Sequence, residues 1–224
     1  MQGVIGHLPV FTGVPPEGVE AVARGCFIVD ACRGDVVAAR GTRLAGVFAV
    51  AYGTITLTLG NGDSERRVLR VLTAGQTFGE AYALVARPCS YDVVAVAECK
   101  LVVMPAERIR DCAERYARFS RNLTMLLAER SLELLAAFEA ATLLRGAQRL
   151  ASYLDALAAR QPAGSDRLVV ALPVSKTMLA AQLGVKKETL SRLLRQLTAR
   201  GMIEVSRRDV AILDREGLAA AATA

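Results

Sequence analysis

Residues 176–195, KTMLAAQLGVKKETLSRLLR, carry the reading of this chain. Leu179, Leu183, Val185, Leu190 and Leu193 fall where two short helices would each bury one face, and Ala180 is small enough for the helices to cross closely. Gly184 stands where the connecting turn needs a positive φ. The pattern predicts a helix-turn-helix whose second helix runs over 187–200 and is closed by Gly201. That helix would expose Lys187, Glu188, Ser191, Arg192 and Arg195, side chains able to reach base edges and phosphates in a major groove. Residues 202–205 and 210–213 are β-rich runs around the polar turn Ser206-Arg207-Arg208-Asp209, which gives the unit a basic wing.

An amphipathic helical hairpin with a solvated charged face would show a similar pattern, and the distribution of charge argues against it. Of the 28 basic and 22 acidic residues, 145–224 hold 13 and 7, which leaves 15 and 15 for 1–144. The whole net charge of +6 therefore lies in the segment with the motif. A surface that displaces counterions from a polyanion needs that asymmetry, so double-stranded DNA is the expected partner.

The 224 residues suffice for one large or two small domains, and 53% hydrophobic with 22% charged residues is an ordinary folded composition. Gly3, Gly6, Pro9, Gly13, Pro15 and Pro16 interrupt the start, which lacks a basic signal-peptide region, and no apolar run has the length of a membrane span. Five irregularly spaced cysteines do not form a disulfide framework. A cytoplasmic protein with reduced thiols and no membrane partner is expected.

Outward from the motif, a helix is expected at 16–24, followed by a Val- and Thr-rich stretch with repeated glycine turns. Its strands are predicted at 26–29, 35–39, 47–51, 54–59, 67–72, 91–96 and 101–104, with Gly60-Asn61-Gly62-Asp63 as a hairpin turn. Such short strands suggest a rolled-up β structure. From Pro105 onward 107–115 and 116–141 are helix-compatible without Gly or Pro. Within the longer helix Ser120, Thr124, Leu127, Ser131, Leu134, Phe138 and Ala141 recur at heptad spacing as a dimerisation seam, while Leu123 and Leu126 lie on a neighbouring face suited to the β domain. Gly146 is read as a hinge into a helix over 147–160, followed by a loop at 161–166 and a strand at 168–172. The expected fold class is α+β, with a β-roll sensor domain at 1–115, a long dimerisation helix and hinge at 116–145, and a winged helix-turn-helix at 146–224.

A β-roll (cyclic-nucleotide-binding-like, a double-stranded β-helix), a long dimer helix and a C-terminal winged helix in this order resemble the cyclic AMP receptor protein/FNR (Crp/Fnr) superfamily of bacterial transcription regulators, over nearly the whole chain. The resemblance is most specific at 185–194, VKKETLSRLL: the FNR branch carries Glu-x-x-Ser-Arg, matched by Glu188, Ser191 and Arg192, where the cyclic AMP receptor branch usually has glycine for the serine. It implies half-sites like TTGAT in an inverted repeat. Physical chemistry supports the same three residues as base readers: Arg can donate two hydrogen bonds to guanine O6 and N7, Glu can accept from cytosine N4, and Ser adapts to either neighbour. Lys176, Lys186, Lys187, Thr189, Arg195, Arg207 and Arg208 are assigned to phosphates, which position without specifying.

The resemblance also implies an effector cassette, here Gln76-Thr77-Phe78-Gly79-Glu80, in a degenerate form. Ser90 and Tyr91 stand where members that bind cyclic AMP have an Arg-Ser pair for the phosphate, and Leu134 and Leu135 stand where they present Thr-Ser to the adenine. Arg87 is read as a surface residue. Gly79 and Glu80 then remain as turn geometry and backbone satisfaction, and control by cyclic AMP is not expected. Cys26, Cys32, Cys89, Cys99 and Cys112 include no C-x2-C pair, so an iron–sulfur cluster like that of FNR is not expected and no metal site is assigned. The segment LPVSK at 172–176, the Glu-x-x-Ser-Arg pattern and residues 211–215 resemble nitric-oxide-responsive DNR-type regulators. Haem therefore stays open as a cofactor, with His7, the only histidine, as its candidate ligand and an apolar space beside Leu123, Leu126, Leu134 and Leu135 as its place.

With one histidine, no nucleotide-binding glycine loop and no nucleophile–base arrangement, nothing points to an enzyme. Sequence-independent DNA compaction is the nearer rival, but Glu188 inside a basic surface weakens nonspecific binding and makes sense for base reading. The expected function is a homodimeric, sequence-specific transcription regulator, with RNA polymerase a partner if it activates. A haem-based DNR-type regulator and a constitutive or nonspecific DNA-binding protein are the alternatives.

Overall fold

The computed structural model describes residues 2–60, 67–143, 146–159, 161, 168–172, 175–206 and 209–223. The chain forms two compact units, Met1–Glu133 and Leu134–Ala224.

In the first unit α1 (Gln2–Gly6), a 3-10 turn (Pro9–Phe11) and α2 (Pro16–Ala23) precede eight strands. One antiparallel sheet has the order β1 (Phe27–Ala31), β8 (Cys99–Pro105), β3 (Gly46–Tyr52), β6 (Thr77–Phe78). The other has the order β2 (Val36–Ala38), β7 (Asp92–Ala95), β4 (Thr54–Leu59), β5 (Arg67–Thr73). The unbroken apolar runs of β3 and β8 follow from burial on both faces. Val47, Ala49, Val102 and Met104 point to a core shared with Ile5, Phe11, Val22, Ile109, Phe119 and Leu123 of the helical elements. Their alternates Phe48, Val50, Leu101 and Val103 join Ile55, Leu72, Phe78 and Val93 in the core between the sheets. Each predicted strand is present to within a few residues. The two-residue β6 and the short α3 (Glu80–Val85) are additions, and the residues of the predicted 60–63 turn beyond Gly60 lie outside the described ones.

Helix α4 (Ala106–Arg115) ends at Tyr116, whose extended backbone (φ −121, ψ 98) redirects the chain without Gly or Pro, and α5 runs over Ala117–Leu143. The second unit continues with α6 (Gly146–Ala159), β9 (Leu168–Ala171), α7 (Lys176–Gln182), α8 (Lys187–Ala199), β10 (Ile203–Ser206), β11 (Asp209–Ile212) and α9 (Arg215–Thr223). The three strands form an antiparallel sheet in the order β10, β11, β9. Leu213 and Asp214 both donate backbone N–H groups to the Met202 carbonyl, at 2.9 and 3.2 Å, closing the wing at its base. The unpredicted α9 buries Leu218, and its Arg215 reaches Asp155 of α6 at 3.4 Å. Most of the predicted 161–166 loop lies outside the described residues, as do Pro173 and Val174 of the LPVSK segment.

Candidate nucleic-acid interface and effector cassette

Ser175 opens α7 by accepting a hydrogen bond from the Met178 backbone N–H at 3.3 Å. Gly184 makes the turn at φ 63, and the Val185 N–H returns to the Ala180 carbonyl at 2.9 Å. Arg149 from α6 donates Nε to the Leu183 carbonyl at 2.9 Å, so a cation meets an end of α7 that would otherwise leave acceptors unsatisfied. Gly146 is the first residue of α6, and a Cβ there would touch Leu193 and Val185 at 3.4 Å. Its place is thus one of close packing against the helix-turn-helix; Leu144 and Arg145, beside it, lie outside the described residues.

Leu190, Leu193, Leu194 and Leu197 bury one face of α8 against Leu179 and Ala180. The opposite face presents Lys187, Glu188, Arg192 and Arg195 to solvent, with Thr189 and Ser191 half-buried beside them. Lys176 and Lys186 are exposed at the starts of α7 and α8. Among the described residues no ion pair holds any of these charged groups. Arg195 donates Nε to the Ser191 carbonyl at 3.4 Å. A shallow depression on this face is lined by Glu188, Thr189, Arg192, Arg195, Gln196 and Ala199. The sequence reading passed over Gln196, although its spacing of four from Arg192 and eight from Glu188 puts it on the same face. Gly201, at φ 72, closes the helix as expected. Arg207 and Arg208 lie outside the described residues, between paired Ser206 and Asp209.

A polyanion-facing helix of this kind, on a unit that follows a β-roll, is matched by two family models: a cyclic nucleotide-binding domain over residues 28–116 and a Crp-like helix-turn-helix domain over residues 148–221. The chain belongs to the Crp/Fnr family of DNA-binding transcription regulators. It is 24% identical over 222 residues to the CRP-like cAMP-activated global transcriptional regulator of Mycobacterium tuberculosis, covering 98% of each chain. It is also 24% identical to the transcriptional regulatory protein btr of Bordetella pertussis, over 96% of this chain and 89% of that one. Among solved structures it shares its fold with a CooA mutant from Carboxydothermus hydrogenoformans (TM-score 0.78, 19% identity, 88% of each chain). FixK2 from Bradyrhizobium japonicum is similar too (TM-score 0.73, 19% identity, 86% of this chain and 95% of that one). Among the described residues no helix is long and apolar enough to cross a membrane.

Residues 76–80, expected as a degenerate effector cassette, are more heavily used than their sequence suggests. Gly79 takes φ 89 at the start of α3, as turn geometry requires, and a Cβ there would press on Leu44 at 2.9 Å. Glu80 corrects the expectation of backbone satisfaction. It is 3% exposed, and its carboxylate accepts from the Thr77 hydroxyl and from Nη1 of Arg130 on α5. Arg130 also donates Nη2 to the Thr77 carbonyl at 2.6 Å. A buried carboxylate needs a charged partner, and the roll finds it 50 residues away on the long helix. Ser90 Oγ and Tyr82 Oη share a hydrogen bond at 2.6 Å, and the Tyr82 and Tyr91 rings meet edge to face at 5.4 Å. Burial, followed by Tyr82 and Glu80, raises the Tyr91 phenol above its ordinary pKa, so it stays protonated. Arg87 is exposed.

Along α5 Leu123 is buried in the first core, and Leu126 is half-buried. Leu127, assigned to the seam, is itself partly buried against that core. Ser131 is exposed and donates its hydroxyl to the Leu127 carbonyl at 2.9 Å. Leu134, Leu135 and Phe138 are 60%, 64% and 70% exposed, and the Ala141 side chain lies outside the described residues. These residues do not fit a haem between roll and helix. Leu123 is packed into the core, Arg130 two turns further along the same face is held in its ion pair, and His7 is exposed, with Nδ1 hydrogen-bonded to the Gly3 carbonyl. The apolar space expected beside these leucines is, within the first unit, a polar contact.

Proposed function

We propose that this Crp/Fnr regulator acts as a homodimer that reads an inverted repeat of FNR-like TTGAT half-sites, independently of cyclic AMP. Glu188, Ser191 and Arg192 read bases, while Lys176, Lys186, Lys187, Thr189, Arg195, Arg207 and Arg208 contact phosphates. The observation that carries the reading is the outer face of α8, where an acidic and several basic side chains stand exposed on a helix fixed from behind by four buried leucines. A twofold operator requires a twofold protein, and the exposed Leu134 and Phe138 of α5 supply an apolar strip for the second copy. Cyclic AMP independence is supported by Ser90, whose hydroxyl is engaged by Tyr82, and by Tyr91, whose ring is buried where a phosphate-binding pair would be needed.

The test is fluorescence anisotropy on a TTGAT inverted repeat and on a scrambled duplex at one fixed salt concentration. Arg192→Ala is expected to lose about 1–3 kcal/mol per half-site on the repeat alone, whereas Lys187→Ala weakens both duplexes alike. Equal losses on both duplexes for Arg192→Ala would remove the base-reading role.

A further inference from the structure

The polar contact between roll and long helix holds two guanidiniums, Arg130 engaged in part and Arg70 hardly at all. Arg130 uses Nη1 and Nη2 on Glu80 and Thr77, but its Nε is buried without an acceptor. Arg70, on β5, is buried over about three quarters of its side chain. Its ion pair with Glu133 Oε2 spans 3.6 Å, longer than a hydrogen bond, and Glu133 is half exposed and open to solvent screening. No hydrogen bond among the described residues holds a guanidinium N–H of Arg70. Burial, and then the neighbouring Arg130, lower the Arg70 pKa, with Glu133, Glu80 and Tyr91 acting in the opposite sense. A desolvated guanidinium with a planar fork of idle donors, whose acidic partner Glu133 stands one turn along α5 from Arg130, is suited to a planar or tetrahedral oxyanion.

We propose that Arg70, with Arg130 one turn of α5 from its acidic partner, receives the oxyanion of a small organic carboxylate or phosphate, and that Glu133 is the resident competitor for this place. The inference rests on the reading of the roll as the sensing part of a DNA-binding regulator, and it adds the class of molecule sensed. The cation comes from β5, not from the 90–91 position at which a cyclic nucleotide phosphate would be held, so the site selects small anions without restoring cyclic AMP binding. Glu133 is also the last residue of the first compact unit, on a helix that continues into the second. A ligand that displaces it therefore acts on the chain at the point where one unit ends.

The experiment is calorimetric titration of the full-length protein, without DNA and at constant ionic strength, with benzoate, inorganic phosphate and cyclic AMP in separate arms. Saturable binding is expected for benzoate, phosphate or both, which separates carboxylate from phosphate, and none for cyclic AMP. Arg70→Gln should weaken the binding by about tenfold or more. Glu133→Gln, an exposed change that leaves the fold intact, should tighten it by about threefold or more, because the competing carboxylate is gone. Opposite signs for the two variants distinguish a site from general screening. The proposal is overturned if neither anion saturates up to about 10 mM with the native protein or Glu133→Gln, or if Glu133→Gln weakens binding or leaves it unchanged. Micromolar binding of cyclic AMP would overturn the cyclic AMP independence proposed above and leave the small-anion site standing.

Discussion

The outer face of α8 and the contact between the roll and α5 use the same residue types in opposite ways. On α8 the charged groups stand in solvent with no counter-ion among the described residues, and the leucines behind them supply the stability. At the roll Glu80 and Arg130 are turned inward on each other, and Thr77 adds a hydrogen bond to each of them. Desolvating a charge costs far more than a surface pair returns, so an inward pair persists only when its partners are complete. An outward face keeps its full Coulombic attraction for a partner molecule. Charge that serves folding is thus satisfied within the chain, and charge that serves binding is left for the ligand.

This contrast can be broken by experiment, first at the buried pair. Arg130→Ala should destabilise the first unit by about 3–5 kcal/mol, because Glu80 is left uncompensated. Replacing both residues by methionine should recover most of that loss. Chemical denaturation of the three variants measures both effects, and a loss below about 1 kcal/mol for the single change would show the pair to be no more than a surface contact. Next in size is the apolar strip. Leu134→Asp should raise the dimer dissociation constant by about a hundredfold, as each copy would place a carboxylate in an apolar contact; sedimentation that finds an unaltered dimer removes Leu134 from the seam. A smaller effect tests the outward charges. Arg195→Ala should weaken every duplex alike and reduce the slope of log K against log salt by about 0.9 per lost phosphate contact. A changed sequence preference would make Arg195 a base reader.

The smallest effect concerns Cys26 and Cys112, groups that are buried and uncharged. Burial raises both thiols from 9.0 to about 11. A pKa higher in the folded than in the unfolded chain favours folding fully below about pH 9, and the contribution is lost as pH rises towards about 11. The double variant Cys26→Ala/Cys112→Ala should therefore lose stability less steeply between those values than the native chain, as followed by denaturant titrations across that range.

The helix-turn-helix was legible because its information is local. Leucine spacing, Ser175 at an N-cap and Gly184 and Gly201 at positive φ each act within a few residues. The longer strands were legible for the same reason, through alternation and turns. Strand β6 has two residues and α3 six, too few for a period to emerge, and α9 has a run of four alanines in its nine residues, with little amphipathic contrast. The Glu80 partner was hidden by distance along the chain. One signal for it did exist: Phe119, Leu123, Leu126, Arg130 and Glu133 share a face of α5, so two charges interrupt a row that otherwise meets the roll. A charge on an inward row asks for a buried counter-charge, and Glu80 is the acidic residue buried in the roll.

The doubly used Met202 carbonyl has a consequence for how such a regulator evolves. The wing is fastened at its root, and its last described rung is the pair Ser206 and Asp209, on either side of the two arginines in sequence. If those arginines meet phosphates and α8 reads bases, as proposed above, natural selection can exchange them to raise or lower occupancy across all promoters at once, leaving the identity of the promoters to the helix. Under that proposal, changes in regulatory strength and changes in regulatory target are heritable separately.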